Sequence, residues 1–191
     1  MLRDEDFYLP GTPFTKEEIR AVVLKKLALH GDEVVFDVGA GSGTITVEVA
    51  KSLPRGKVYA FEKDPERLLV VKENLKRFSV NNVELIPKAL PCDLADYPLP
   101  DKVIIGGSSN LIEVLKLVSG HLKKVGMVLG LAVTLESMAI YQAILPKPPF
   151  ADFEGVGITV TRLKKAGNYH IMSSQNPVFI FTGRKKEEGD G

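Results

Sequence analysis

Residues 34–48 read VVFDVGAGSGTITVE, and this stretch decides the fold. Val34 to Val38 is a short apolar run broken only by Asp37, which suits a buried strand. Gly39, Gly41 and Gly43 follow at alternate positions. Thr44 to Ser52 then opens a helical pattern, with Ile45 and Val49 inward and Glu48 and Lys51 outward. A strand, a glycine turn and a helix N-terminus together build a site for an anionic or nucleoside-like ligand. Glycines let the backbone approach the ligand, and the N–H groups of the first helical turn face it. The spacing narrows the choice. A dinucleotide fold requires G-x-G-x-x-G, but position 44 is Thr44 and the third glycine falls one residue early, at Gly43.

The next strand, Val58 to Glu62 (VYAFE), ends in a carboxylate 19 residues after Gly43. At such a strand end Glu62 can accept from both hydroxyls of an adenosine ribose. DVGAGSG followed by an acidic strand end resembles the S-adenosyl-L-methionine (SAM) site of Rossmann-like class I methyltransferases. A tight turn and a solvated Glu are the plainer alternative, disfavoured because two spaced features must then coincide.

Working outward, Met1 to Phe14 is polar, aromatic and proline-punctuated, so residues 1–14 form an N-terminal arm. Thr15 to Glu18 reads as a capping box for a helix running to about Leu29 and ended by Gly31. Asp64-Pro65 starts a helix to about Ser79, with Leu68, Leu69, Val71, Leu75 and Phe78 inward. Val83 to Ile86, Val103 to Ile105 and Met127 to Val133 read as strands, and Leu111 to Leu122 and Thr134 to Leu145 as helices. Two last strands, Gly155 to Arg162 and Val178 to Thr182, flank a polar, basic connection from Leu163 to Pro177. The tail, 185–191, is charged and expected to be disordered. The pattern predicts one α/β domain over 1–191: a mostly parallel seven-stranded sheet with helices on both faces and an antiparallel last strand at the edge.

Composition bounds the function. A chain of 191 residues with 45% hydrophobic content supports one sizeable core. With 25 basic and 24 acidic side chains the net charge is only +1, which argues against a protein that holds long nucleic acid by its phosphates. Cys92 is the sole cysteine, so no disulfide framework is available and a reducing cytoplasm is the expected home. The acidic start MLRDEDFYLP is unlike a signal peptide, and the apolar run near Val125 to Val133 is too short to span a bilayer. His30, His121 and His170 lack ligand spacing, so no metal is expected, and His121 reads as a surface or packing residue. No catalytic constellation is evident.

Other positions extend the site. Ala89 follows the third strand, where a small residue can border an adenine, although an ordinary loop alanine fits equally. Thr15 reads first as a helix cap and second as a ligand contact. Gly106-Gly107 ends the fourth strand at the crevice that the glycine loop faces. It is either a simple tight turn or a close approach of backbone to substrate. GGSS at this strand end disfavours methylation of a base amino group, which calls for [DNS]-P-P-[YFW].

LPGTPFTKEEIR, DVGAGSGTITVE, VYAFEKDPE, VIIGGSSNLIEVL and SSQNPVFIFTGRK together resemble the CbiT family, from about Leu9 to Lys185. That resemblance implies SAM contacts at Thr15, Gly39, Ala40, Gly41, Ser42, Gly43, Glu62 and Ala89. It also implies a tetrapyrrole substrate, a cobalt-precorrin methylated at C(15) with decarboxylation of the C(12) acetate, and a homotetramer. Ser109 and Asn110 depart from the glycines that relatives often carry in this turn. A ring bearing many carboxylates calls for a cationic rim, for which Arg162, Lys164, Lys165 and His170, with Lys63 and Lys88 on the cofactor side, are the candidates. An RNA methyltransferase and a SAM-binding module without catalysis are the alternatives, and Thr44 opposes a dehydrogenase.

Overall fold

A computed structural model describes residues 1–107 and 109–186. Nine strands and five helices are present among them: α1 (Glu17–Leu27), β1 (Val34–Val38), α2 (Thr44–Lys51), β2 (Lys57–Phe61), α3 (Pro65–Arg77), β3 (Val83–Ile86), β4 (Lys102–Ile105), α4 (Leu111–His121), β5 (Met127–Ala132), α5 (Leu135–Ile144), β6 (Phe150–Ile158), β7 (Thr161–Ala166), β8 (Tyr169–Ser174) and β9 (Val178–Lys185). Seven strands form one sheet in the order β3-β2-β1-β4-β5-β9-β6. Within this sheet β9 alone runs against the direction shared by the other six strands.

Alternation along the buried strands gives each face its own core. Phe36, Phe61, Val103, Ile105 and Val128 pack under α4 and α5, with Leu115, Val118, Tyr141 and Leu145. Val35, Val58, Ile104 and Leu129 point the other way, under α1 and α2, with Val23, Leu27, Val49 and Leu53. Strands covered on both sides read as continuous apolar runs. His121 closes the first core by stacking on Phe36, with its Nε2 buried and unpartnered, so it is a packing residue.

Several expectations are corrected. The last strand is not at the edge: β9 inserts between β5 and β6, and β6 forms the margin. The expected connection from Leu163 to Pro177 is itself a hairpin, β7–β8, outside the main sheet. Its turn is Gly167-Asn168, with Gly167 in the left-handed region at φ +60°, a two-residue hairpin signal masked by the surrounding charges. The Thr15–Glu18 capping box does not form, because Lys16 occupies the cap position and Glu18 turns to Arg162. Helix α1 stops at Leu27, where Ala28 rather than Gly31 takes the left-handed cap. On α3, Leu69 is exposed while Val70 and Asn74 are buried. Lys185 ends β9, and 187–191 lie outside the described residues.

The N-terminal arm contains a 3₁₀ turn at Asp4–Asp6 and is fastened to the body by a buried charge. Arg20 on α1 is fully buried. Its guanidinium donates to Asp4 Oδ1, Thr15 O and Leu2 O, each at 2.7 Å, and to Glu48 Oε1 at 3.4 Å. Glu48 is therefore inward, not outward: it answers Arg20 and accepts from Leu2 N. Arg162 of β7 donates to both oxygens of Glu18 and to Asp4 Oδ2, so Asp4 joins arm, helix and hairpin. Phe7 seals this cluster against Phe78, with ring centroids 4.7 Å apart.

Removing one member of a buried ion pair strands its partners. Arg20→Met should lower the free energy of unfolding by about 3–5 kcal/mol in urea titration. A loss below about 1 kcal/mol, the range of exposed pairs, would refute this account of the arm.

Candidate functional site

The carboxyl ends of β1, β2 and β4 and the end of the arm enclose a cleft of about 430 Å³. Parallel strands terminate together here, so their loops converge at one rim. Gly39, Gly41 and Gly43 all take positive φ, at +76°, +60° and +75°. Gly39 N and Ala40 N donate to Phe61 O, which holds the loop across the β2 end. A Cβ on Gly39 would stand 2.4 Å from Gly107 O, so the loops after β1 and β4 pass back to back. A Cβ on Gly41 would meet only Gly39 O, at 3.8 Å, leaving that position open. Helix α2 opens at Thr44 with no side-chain cap, so a ligand can meet its first-turn N–H groups.

Glu62 is almost fully buried and already organised. Its Oε2 accepts from Gly41 N and its Oε1 from Asp64 N, both at 2.9 Å. Its remaining lone pairs can accept hydroxyl groups within the cleft.

Thr15, Gly39, Ala40, Gly41, Ser42, Glu62 and Ala89, distant in the chain, line this one cleft, as do Gly106 and Gly107. Gly43 does not. A Cβ there would meet Val71 Cγ1 at 3.0 Å, so its small size serves the packing of α2 on α3. Nor do Arg162, Lys164, Lys165 or His170 reach the cleft. Arg162 is committed to Glu18 and Asp4, which hold its guanidinium firmly charged, and the other three lie exposed on the hairpin. Lys63 lines the cleft and Lys88 does not.

Pro13, Phe14 and Arg67, which no motif in the sequence marks, also line the cleft, and so does Asp37. The signal for Asp37 was its charge inside an apolar strand. Burial pushes its pKa up to about 6, and the Glu62 charge adds to this, while Thr46 Oγ1, donating at 2.6 Å, opposes it. Near neutrality the site therefore holds two carboxylates, Asp37 ionised at a cost, ready for a cationic ligand. Lys16 lies over the Phe14 ring at 3.3 Å, and burial lowers its pKa.

The folded-state value of Asp37 is raised from 3.8 to about 6, so the folded protein binds the extra proton and stability falls as pH rises across that window. Above it the ionised group costs on the order of 3 kcal/mol. Asp37→Asn should therefore raise the melting temperature of the ligand-free protein at pH 7–8, with the gain shrinking toward pH 4. An unchanged or lower melting temperature at pH 8 would contradict a strained carboxylate here.

Comparison with known proteins agrees with this architecture. Residues 6–185 match the precorrin methyltransferase domain. The probable cobalt-precorrin-6B C(15)-methyltransferase (decarboxylating) of Pyrobaculum calidifontis is 36% identical over 175 residues, 90% of this chain and 89% of the relative. The cobalt-precorrin-6B C(15)-methyltransferase (decarboxylating) of Salmonella typhimurium is 31% identical, with 96% of each chain covered. The crystal structure of precorrin-6y C5,15-methyltransferase from Geobacter metallireducens superposes with a TM-score of 0.89 at 36% identity, covering 96% of each chain. The Gly106-Gly107 segment, the acidic β2 end and the glycine loop thus sit in a chain that belongs to the precorrin methyltransferase domain family.

Proposed function

We propose that this chain is a SAM-dependent C-methyltransferase that methylates C(15) of a cobalt-precorrin with decarboxylation of the C(12) acetate, in cobalamin biosynthesis. One observation carries the reading: in a chain of this family, the glycine loop, Glu62, Ala89 and Thr15 border a single cleft. The names of the relatives support the reaction.

The residues present fit the cofactor. Gly41 leaves room for close approach, Glu62 offers lone pairs for ribose hydroxyls, and the Asp37 carboxylate complements a cation. When bound, SAM supplies a methyl group on a positively charged sulfur. In this reading the glycine loop and Glu62 hold its adenosine half, Ala89 borders the base, and Phe14 and Thr15 cover it. Gly106 and Gly107 leave open the side from which a flat ring approaches. In this reading Lys63 and Arg67, which line the cleft, meet substrate carboxylates, in place of the rim expected from Arg162, Lys164, Lys165 and His170.

The conjugated ring is electron-rich at the carbon to be methylated and takes the electron pair of the C–C bond that breaks when the carboxylate of the acetate leaves as carbon dioxide, while the side chain's other carbon stays on the ring and gains a proton from solvent. The chain's own residues then have to align and exclude water, which is a large effect in itself. No single general base is required. Protein mixed with labelled SAM and a cobalt-precorrin pool should give a product one methyl heavier and one carbon dioxide lighter by mass spectrometry. Glu62→Ala should weaken SAM binding by about 1–3 kcal/mol in calorimetry. Methyl transfer to RNA instead, or SAM bound without turnover, would reject the proposed reaction.

We also read the protein as a cytoplasmic homotetramer. Cys92 is a free thiol, suited to a reducing compartment. Among the described residues no helix is long and apolar enough to cross a membrane. The β7–β8 hairpin exposes Leu163, Tyr169, Ile171 and Met172, and a lone two-stranded ribbon in water is marginally stable. A second copy would cover these side chains. Light scattering should show a tetramer that Met172→Glu with Tyr169→Lys dissociates, and a wild-type monomer at micromolar concentration would reject it.

A further inference from the structure

Asn74 lies on α3 and lines no part of the cleft, yet it is fully buried. Asparagine is a poor choice for a helix interior, where its side chain competes with the backbone. Here the amide is used completely by two other segments. Its Nδ2 donates to Ser42 O at 2.9 Å, in the glycine loop, and to Tyr8 O at 3.1 Å, in the arm. Its Oδ1 accepts from Tyr8 N at 2.7 Å. Ser42 is itself a wall of the cleft. Tyr8 is the last clamped point before Pro13, Phe14 and Thr15, which form the opposite wall, and α1 clamps the far end of that strap.

On the reading that the cleft takes SAM, we infer that Asn74 is a positioning residue that sets cofactor affinity by fixing the glycine loop and the arm to one buried amide. Neither wall can shift without breaking a bond whose loss leaves a buried polar group unsatisfied. Docking of the arm and shaping of the loop are therefore one event. A ligand that touches both walls must tighten the arm, and an undocked arm must weaken the ligand by the same factor.

Two changes test this from opposite sides. Asn74→Asp keeps the Oδ1 acceptor but sets an oxygen against two carbonyls, and SAM affinity by calorimetry should fall roughly tenfold or more. Compared with Tyr8→Ala, Tyr8→Pro removes the N–H that Asn74 accepts and sets a ring carbon against its Oδ1, while Phe7, extended at φ −87° and ψ 150°, accommodates a following proline. It should weaken SAM about fivefold or more, a lost hydrogen bond with the ring contact added, although Tyr8 lines no part of the cleft. Tyr8→Ala keeps the N–H and should bind like wild type. Hydrogen exchange followed by mass spectrometry should show residues 8–15 slowed by SAM in wild type and faster in both Asn74→Asp and Tyr8→Pro. The inference is overturned if Tyr8→Pro frees the arm yet binds SAM like Tyr8→Ala, or if Asn74→Asp stays within twofold of wild type. If wild type binds no SAM, the cofactor reading falls. Exchange then decides Asn74 alone: arm and glycine loop must both loosen in Asn74→Asp, and loosening of only one overturns the coupling.

Discussion

The site depends on one close approach. The loops leaving β1 and β4 run back to back, with Gly107 O where a Gly39 side chain would have to stand. Any Cβ at Gly39 would push the loops apart, and the positive φ there is a second reason for glycine. With the loops in contact, Gly39 N and Ala40 N reach Phe61 O, Gly106 N reaches Val38 O, and Gly41 N reaches Glu62. Three strand ends are thereby locked to one another by backbone hydrogen bonds. The cleft is the space that remains outside this junction.

On that rigid junction the fold imposes an electrostatic cost. Asp37 sits in the floor, shielded from water and close enough to Glu62 for that charge to add to the cost of its own ionisation. A fold selected for stability alone would place an apolar residue there. A cation bound beside Asp37 would offset that cost, which lies in the sheet itself.

The other wall is made by the arm, which has little regular structure of its own. Arg20 collects the carbonyls of Leu2 and Thr15 and the carboxylates of Asp4 and Glu48, and Asp4 passes the connection to Arg162 on the hairpin. A segment too polar and proline-rich to fold alone is thus ordered by a guanidinium with several donors in fixed geometry. Arg162, which the sequence offers as a substrate contact, is structural because the fold brings β7 over α1.

Local patterns sufficed for much of this. The glycine spacing, the acidic end of β2 and the apolar strand runs determined the sheet and most of the cleft wall, because backbone conformation and burial leave marks within a few residues. Asp64 caps α3 as its sequence suggests. The pairing of β9 between β5 and β6 and the inward turn of Glu48 left no such mark. Nor did the role of Gly43, which faces Val71 rather than the cleft. Each was decided by a partner far away in the chain, Arg20 for Glu48 and α3 for Gly43. A buried polar group or a missing side chain has meaning only once its neighbour in space is known, and that neighbour is supplied by the tertiary structure.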